Sequence, residues 1–446
     1  MSLHDRLPVA VIGAGPVGLA AACRLIERGL KARVYETGHG VGANIRQWGH
    51  VRLFSPWKFN IDEAAASLLD RHGWRRPGDM TLPTGHEICD QYLDPLARIP
   101  AVQQIIETRA KVRSITRDGI DKVVSRDRAS RAFILEVETG GAVRRDRVRA
   151  VIDASGTFQS PNPLGASGAF ALGESGLAHR IAYGIPDAFK AHRRDYAGLR
   201  VLVVGGGHSA ANALLDLASV AETDRNTRII WAVRAQNLTR VFGGGEADQL
   251  PARGMLGERL RALTESGRLQ VVTGFSAVSV SENVDGVLVS GMRLDAQEAV
   301  GPVDRIIVAT GQRPQLDLTR ELRLDLDPIL ESPRALGPLI DPNLHSCGTV
   351  PPHGYRHLSH PEPEFFTVGI KSYGRAPTFL MATGYEQVRS VVAHIAGDRQ
   401  EADEVHLVLP ETGVCSTNIA QEDEHVACCG GSASKERAGV EEAAHV

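Results

Sequence analysis

The feature that most constrains this 446-residue chain is a strand, turn and helix pattern near its start, "VAVIGAGPVGLAAACRLIERGLKARVYETG". An apolar run ending at Ile12 meets a glycine-rich turn, and a second apolar run closes on Glu36. Gly13 permits the tight turn, Gly15 lets a pyrophosphate approach the backbone, and Gly18 lets helix and strand pack closely. An acidic residue in the place of Glu36 can bond ribose hydroxyls. The pattern therefore predicts a dinucleotide-binding βαβ unit.

A second stretch, "LRVLVVGGGHSAANALLDLA", repeats this plan about 190 residues later. Gly205, Gly207 and Ala210 take the positions of the three turn glycines, and a helix is expected from Ser209 onward. Two dinucleotide units in one chain of this length predict an α/β protein with two parallel-sheet domains.

The charge at the end of the second unit differs from that of the first. The strand "RIIWAVR" ends at Arg234, where the first unit ended in Glu36. A carboxylate there would repel a 2'-phosphate, whereas the guanidinium groups of Arg234 and Arg240 would pair with it. We therefore expect NADPH rather than NADH, with an ordinary surface arginine as the alternative.

Two further strands, at residues 148–162 and 303–315, end in the similar turns "DASG" and "VATG". The order of these motifs resembles the two-domain flavoproteins that include flavin-containing monooxygenases, Baeyer-Villiger enzymes and thioredoxin reductases. The resemblance implies FAD in the first fold and NADPH in an inserted second fold, with contacts to the cofactor at Thr310 and Gly311. It implies the following domains: 1–165, FAD-binding; 166–299, NADPH-binding; 300–397, FAD-binding again; 398–446, an acidic tail.

One position departs from the thioredoxin-reductase pattern. Chains of that type carry Gly-Asp after the last strand, but here Gly369 is followed by Ile370 and Lys371. The positions of the ribityl contacts are therefore left open by the sequence.

Disulfide reductases need a redox-active cysteine pair beside the flavin. The stretch "GVGANIRQWGHVRLFSPWKFN" has no cysteine, and the second turn reads "GGGHSAAN" rather than CxxC. The sequence thus favours electron transfer to oxygen, as in the monooxygenases that the chain resembles. The FxGxxxHxxx[YF] fingerprint of those enzymes is not present in strict form, although His179 and Tyr183 have suggestive spacing.

Aromatic side chains cluster in a region that otherwise has few. Trp48, Phe54 and Trp57 could wall the flavin, and Trp57 is a candidate at the catalytic centre, with core packing as the alternative for all three. Polar candidates nearby, each with a structural alternative, are His50, Lys58 and Asn60.

Composition excludes several classes of function. The net charge of -3 gives no broad electrostatic reason to bind nucleic acid or an anionic membrane. No apolar run approaches the ~18 residues of a spanning helix, and the start carries charges where a signal peptide would be apolar. We expect a cytoplasmic protein. Six cysteines are too sparse for a disulfide framework, and Cys23 and Cys89 fall in helical patterns typical of a core.

The last segment concentrates thiols where little can be buried. Acidic side chains far outnumber basic ones after residue 397, yet Cys415, Cys428 and Cys429 lie within fifteen positions. Three thiolates suit trivalent arsenic, and the "CCGG" pair is similar to the C-terminal cysteines of mercuric reductases. The alternatives are incidental cysteines, a zinc clip that includes His425, and a disulfide switch.

These observations predict an NADPH- and FAD-dependent oxidoreductase, monooxygenase-like, that oxidises a trivalent arsenical or another thiophilic small molecule with oxygen. A general monooxygenase of amines, ketones or thioethers is the first alternative. A flavoprotein that sequesters a soft metal is the second. The chain is also a candidate homodimer.

Overall fold

A computed structural model describes residues 6–243, 248, 250–344, 350–377 and 379–407. The strands are β1 (Val9–Ile12), β2 (Ala32–Tyr35), β3 (Ile106–Glu107), β4 (Ala110–Arg117), β5 (Phe133–Thr139), β6 (Ala142–Val148), β7 (Ala150–Asp153), β8 (Ile181–Tyr183), β9 (Arg200–Val204), β10 (Arg228–Ala232), β11 (Gln270–Val272), β12 (Phe275–Asn283), β13 (Gly286–Arg293), β14 (Ala296–Val303), β15 (Arg305–Val308) and β16 (Phe365–Thr367). The α-helices are α1 (Pro16–Glu27), α2 (Ala43–Gln47), α3 (Glu63–Asp70), α4 (Gly85–Ile88), α5 (Asp94–Ala97), α6 (Pro100–Gln103), α7 (His208–Thr223), α8 (Thr239–Phe242), α9 (Pro251–Glu265), α10 (Gly337–Ile340), α11 (Tyr355–Leu358), α12 (Met381–Ile395) and α13 (Arg399–Asp403).

The first sheet is parallel, in the order β16-β7-β1-β2-β3. All four residues of β1 are buried, as the continuous apolar run at this position predicts for a central parallel strand. Helix α1 connects β1 to β2 and buries its small and apolar side chains against the sheet and α12. The carboxyl ends of β1, β7 and β16 lie side by side, which is where ligands bind to open α/β sheets.

The second sheet is also parallel, in the order β11-β10-β9-β15-β8. Helix α7 connects β9 to β10 and repeats the βαβ plan of the first unit. The two predicted dinucleotide folds are therefore confirmed, and so is the α/β fold class. One apolar cluster lies on the α7 and α9 side of this sheet, and another lies between its other face and β12–β14.

Strand β15 differs from the expected domain plan. The sequence assigned residues after 299 to the returning part of the FAD domain, but β15 pairs with β9 and β8 in the second sheet. Its apolar residues Ile306 and Ile307 are fully buried in the two clusters of that sheet. The chain therefore leaves the second sheet only after this strand, and β16 is the strand that joins the first sheet again.

Two three-stranded antiparallel sheets complete the layers, β4-β5-β6 and β12-β13-β14. The first covers one face of the parallel sheet through a cluster that includes Phe133 and Phe365. Buried Glu362 ties this antiparallel sheet to the C-terminal part by ion pairs with Arg117 and Arg128 at 2.7 Å each.

The segment that the sequence assigned to a tail from residue 398 begins with structure. Helix α13 packs on α12: Arg389 pairs with Glu401 at 2.8 Å, and Ala402 is buried. The predicted tail cysteines lie outside the described residues. Within the described part, no helix has both the length and the apolar character needed to cross a membrane.

Candidate functional site

The first glycine turn requires glycine at two positions for different reasons. Gly13 has φ +97°, and a Cβ on it would lie 2.8 Å from the carbonyl oxygen of Ala154. A Cβ on Gly18 would lie 2.0 Å from the carbonyl oxygen of Gly13, because α1 approaches β1 closely there. These contacts explain the tight turn and the close helix packing that the sequence predicted.

Gly15 faces open space. No atom lies within 4 Å of the position that its Cβ would take, and it is the N-cap of α1 with no side-chain cap. The N–H groups of the first helical turn are thus left without a capping side chain, and the helix dipole favours an anion beside them. This cradle, which any side chain at residue 15 would fill, fits the pyrophosphate of a dinucleotide.

Glu36 follows β2 and lies where the sequence predicted a ribose contact. Its carboxylate is buried and accepts hydrogen bonds from the backbone N–H groups of Ala14 at 2.8 Å and Gly38 at 2.7 Å. These bonds fix the carboxylate beside the turn. A carboxylate has about four acceptor positions, so it can still accept bonds from two ribose hydroxyls.

The second turn has the same construction. Gly205 has φ +139°, and its Cβ would lie 2.2 Å from the carbonyl oxygen of Ala309. Gly207, the N-cap of α7, has no atom within 4 Å of its Cβ position and no side-chain cap on the helix. Ser209 is half-buried and Ala210 fully buried in the first turn of the helix. This turn therefore provides a second phosphate cradle.

Arg234 and Arg240 lie beyond the end of β10, as predicted. Arg234 is exposed, and its Nη1 donates to the carbonyl oxygen of Ala166 at 3.1 Å. Arg240 is half-buried in α8. The second cradle therefore has guanidinium groups beside it, whereas the first has a buried carboxylate. The side chains beside the two cradles differ in the sign of their charge.

The predicted cofactor contacts Thr310 and Gly311 lie in the connection between the two sheets. The hydroxyl of Thr310 donates to the carbonyl oxygens of Asn162 at 3.0 Å and Pro163 at 3.2 Å. Gly311 has φ +92°, and its carbonyl oxygen accepts from the N–H of Asn162 at 2.9 Å. The structure thus shows these residues joining the two connecting segments, and their contact with a cofactor stays a prediction.

The three clustered aromatics have different environments. Trp57 is 3% exposed and lies within the first core, so the core alternative describes it better than a wall of the flavin. Trp48 is half-buried and packs at the edge of the same core. The ring of Phe54 lies 5.2 Å from the ring of His208, the first residue of α7. Phe54 therefore links the aromatic segment to the second cradle.

A second contact joins the same segment to α7. His50 Nε2 lies 4.0 Å from a carboxylate oxygen of Asp216. Burial, then the nearby charge of Asp187, raises the pKa of Asp216 to about 6, and burial lowers the pKa of His50. Burial, followed by the charge of Arg253, also lowers the pKa of His208. The two histidines along this junction therefore favour their neutral forms, and Asp216 takes up a proton at a higher pH than an ordinary aspartate.

The polar candidates Lys58 and Asn60 lie further along this segment. Asn60 is fully buried, and its side chain donates to the carbonyl oxygens of Ser55 and Pro56. Lys58 is exposed, with its ammonium 4.9 Å from the ring centre of Phe59. The structural alternative accounts for Asn60.

Sequence reasoning missed two buried polar groups near the cradles. Lys371 was noted only as a departure from a pattern, yet its ammonium is buried against Asp153 at 2.7 Å. Arg253 pairs with Asp248 at 2.6 Å beside His208, with both side chains buried. A charged residue inside an apolar stretch is the one sequence signal that could have singled out Lys371.

Two cysteines fall within the described residues, Cys23 and Cys89, and both are buried and unpaired. Burial raises the pKa of the Cys89 thiol to about 11 and that of Cys23 further still. Thiols held in the protonated form are poor nucleophiles. Neither cysteine therefore has the character of a redox-active thiol.

Comparison with known proteins agrees with this fold. A model described as pyridine nucleotide-disulphide oxidoreductase matches residues 10–328. A putative dimethylaniline monooxygenase (N-oxide-forming) 6 from Homo sapiens is 26% identical over 250 residues, which are 53% of this chain and 42% of that protein. The chain spans less than half the length of the curated relatives that it matches.

Solved structures align over most of their length. The bacillithiol disulfide reductase of Bacillus cereus has a TM-score of 0.64 at 17% identity, over 88% of this chain and 99% of the other. The ornithine N-hydroxylase of Kutzneria sp. 744 has a TM-score of 0.56 at 17% identity, over 90% of this chain and all of the other. At such identities the likeness establishes a shared fold alone.

Proposed function

The chain belongs to the pyridine nucleotide-disulphide oxidoreductase family, and we propose that it is a monooxygenase, the kind of enzyme with this fold that passes electrons to oxygen. It is an FAD-dependent oxidoreductase that uses NADPH. We assign FAD to the cradle at Gly15 and NADPH to the cradle at Gly207. The flavin supplies two-electron chemistry when bound.

The main support for this proposal is the character of the cysteines. A disulfide reductase passes electrons from flavin to substrate through a thiol pair with lowered pKa. The sequence contains no CxxC, and the cysteines of the described part are buried thiols with raised pKa. Without such a thiol pair, oxygen is the acceptor that we propose for the electrons that NADPH delivers to the flavin. The human relative, a putative N-oxide-forming monooxygenase, also supports a monooxygenase over a disulfide reductase.

The residues of the chain bind and orient rather than react. Glu36 and the α1 N-terminus hold one dinucleotide, and Arg234 and the α7 N-terminus hold the other. Phe54 and His208 line the junction between the two units with an apolar ring and an imidazole whose pKa is lowered by burial.

For the substrate, we propose a trivalent arsenical or another soft, thiophilic small molecule captured by Cys415, Cys428 and Cys429. The support is chemical: three thiols concentrated in one acidic segment of the sequence are soft ligands. A general monooxygenase of amines, ketones or thioethers remains the alternative, and it would not need these thiols.

The experiment is NADPH and oxygen consumption by the FAD-loaded protein, screened against arsenite, methylarsenite, Hg(II), amines and ketones. We expect substrate-stimulated NADPH oxidation with soft substrates. The variant Cys428→Ser/Cys429→Ser should raise the KM for dilute trivalent arsenicals and leave flavin reduction by NADPH unchanged, because binding rather than chemistry is removed. Wild-type kinetics of this variant on every soft substrate would exclude capture by the tail.

The same experiment separates an enzyme from a sequestering protein. A protein that stores a soft metal binds it stoichiometrically and consumes no NADPH. Turnover of NADPH that rises with substrate concentration would exclude that reading, whereas tight binding without turnover would exclude the monooxygenase.

A further inference from the structure

A buried lysine lies at the edge of the first sheet where the cofactor cradle opens. Lys371, in the 3-10 helix Gly369–Tyr373, is the one buried lysine among those that the structure describes. Its ammonium bonds to Asp153 Oδ2 at 2.7 Å and to Ser155 Oγ at 3.0 Å. Asp153 ends β7 and is paired in register with the last residues of β1 and β16.

This ammonium lies close to the phosphate turn. A Cβ on Gly13 would be 3.1 Å from Ser155 Cα, so Ser155 packs directly behind the turn. A Cβ on Gly369 would be 3.4 Å from a methyl group of Val17 in the first turn of α1. The helix that carries Lys371 therefore packs against the same helix end that forms the cradle.

The hydrogen bonds of this cluster leave one donor available. Asp153 Oδ1 accepts from the hydroxyl of Ser155 at 2.7 Å, and Oδ2 accepts from Lys371. An ammonium has three N–H donors, and two have acceptors among the described residues. One N–H remains for an acceptor that a ligand brings.

Stability alone gives little reason for such a pair. The side chains of Lys371 and Asp153 are 1% and 0% exposed, and removing two charges from water can cost as much as their attraction returns. An apolar pair of similar size would serve the core as well. The cation is better explained by a ligand with negative charge.

We propose that Lys371 is a positioning residue for FAD, donating its third N–H to a diphosphate oxygen of the cofactor while Asp153 and Ser155 fix the ammonium. This inference rests on FAD binding in the first cradle and not on the oxygen chemistry. Ile370 stands where thioredoxin-reductase-type chains place a carboxylate after this strand, and the next residue, Lys371, brings a cation held by a carboxylate from the neighbouring strand.

The first test is the Kd for FAD of apo-protein carrying Asp153→Asn/Lys371→Met, which removes both charges together. We expect the Kd to rise about 10- to 100-fold, since a charge-assisted bond to phosphate is lost. The matched control is Asp248→Asn/Arg253→Met, a buried pair of the second unit with side chains 3% and 4% exposed, which should keep the wild-type Kd. A folded Asp153/Lys371 variant with wild-type affinity would overturn the proposal.

A second measurement uses the wild-type chain and does not depend on the variant folding. In protein labelled with ¹⁵N-lysine, the buried ammonium of Lys371 should exchange slowly and give a distinct resonance. ADP and FAD should shift it, because both carry a diphosphate, whereas adenosine should not. A resonance that FAD and ADP leave in place would contradict the proposal, as would an equal shift with adenosine.

Discussion

The two dinucleotide units of this chain share a backbone plan and differ in charge. Gly15 and Gly207 each cap a helix and face open space, so each end can receive a phosphate. Beside the first lies the buried carboxylate of Glu36, and beyond the second lies the exposed guanidinium of Arg234. From this difference we expect the turn to form the phosphate site in each unit and the residue after the second strand to select the nucleotide.

The units also differ in how closely helix and strand approach. Gly18 could not carry a Cβ without striking Gly13, whereas its counterpart Ala210 carries one in a fully buried position. At another matched position, Arg24 of α1 donates to buried Asp62 at 2.6 Å, while Asp216 of α7 faces His50. The second helix thus uses this position for a contact between the two units.

The largest effect is expected from filling the open space in each cradle. Gly15 and Gly207 have extended backbone angles that valine can adopt, and neither Cβ would meet a protein atom. Gly15→Val should therefore fold but purify without FAD. Gly207→Val should keep FAD and lose reduction by NADPH, measured by anaerobic mixing. If each variant lost both cofactors, the assignment of one cradle to each cofactor would be wrong.

Gly13→Val is the contrasting variant. It places a β-branched residue at φ +97°, with its Cβ 2.8 Å from a carbonyl oxygen. We expect loss of FAD together with a lower unfolding temperature, whereas Gly15→Val should lose FAD with little change in the stability of the apo-protein.

A smaller effect is expected at the charge that distinguishes the cradles. Arg234→Ala should raise the KM for NADPH about 10- to 150-fold, which corresponds to a charge-assisted bond of about 1.5–3 kcal/mol. The KM for NADH should hardly change, because NADH has no 2'-phosphate. Equal effects on both nucleotides would place the 2'-phosphate contact elsewhere, with Arg240 as the next residue to test.

Asp216 gives a pH-dependent prediction for the second helix. Its pKa is raised to about 6, so the folded chain holds a proton there that the unfolded chain releases near pH 4. Its contribution to stability is present below about pH 4 and is lost as pH rises through about 6. Because its side chain is a third exposed, we expect Asp216→Asn to gain on the order of 1 kcal/mol at pH 8. Thermal unfolding at pH 8 and pH 4 should show this gain only at the higher pH.

The smallest effect on catalysis is expected from the buried thiols. Cys23→Ala/Cys89→Ala should cost on the order of 1 kcal/mol of stability per substitution. NADPH oxidation should stay within about twofold of wild type, since neither thiol has the lowered pKa of a redox cysteine. A large loss of activity in a folded variant would show that at least one of these thiols takes part in electron transfer.

The sequence predicted the parts of this molecule that depend on local pattern. The two glycine turns, their helices and the charge after each second strand were all readable, because their geometry is set by neighbouring residues. The pairing of β15 with β9 could not be predicted from the sequence, because a short apolar strand carries no signal for which sheet it joins. Lys371 and Asp153 are far apart in the chain, so their contact appears only in the folded structure.

We propose that electrons pass from NADPH through FAD without a thiol relay. The most direct test is an anaerobic titration of the FAD-loaded protein with NADPH, following the flavin absorbance and free thiols together. We expect one equivalent of NADPH per FAD to complete the reduction and the number of free thiols to stay constant. Uptake of a second equivalent, with the appearance of two new thiols, would show a redox-active disulfide and contradict electron transfer without a thiol relay.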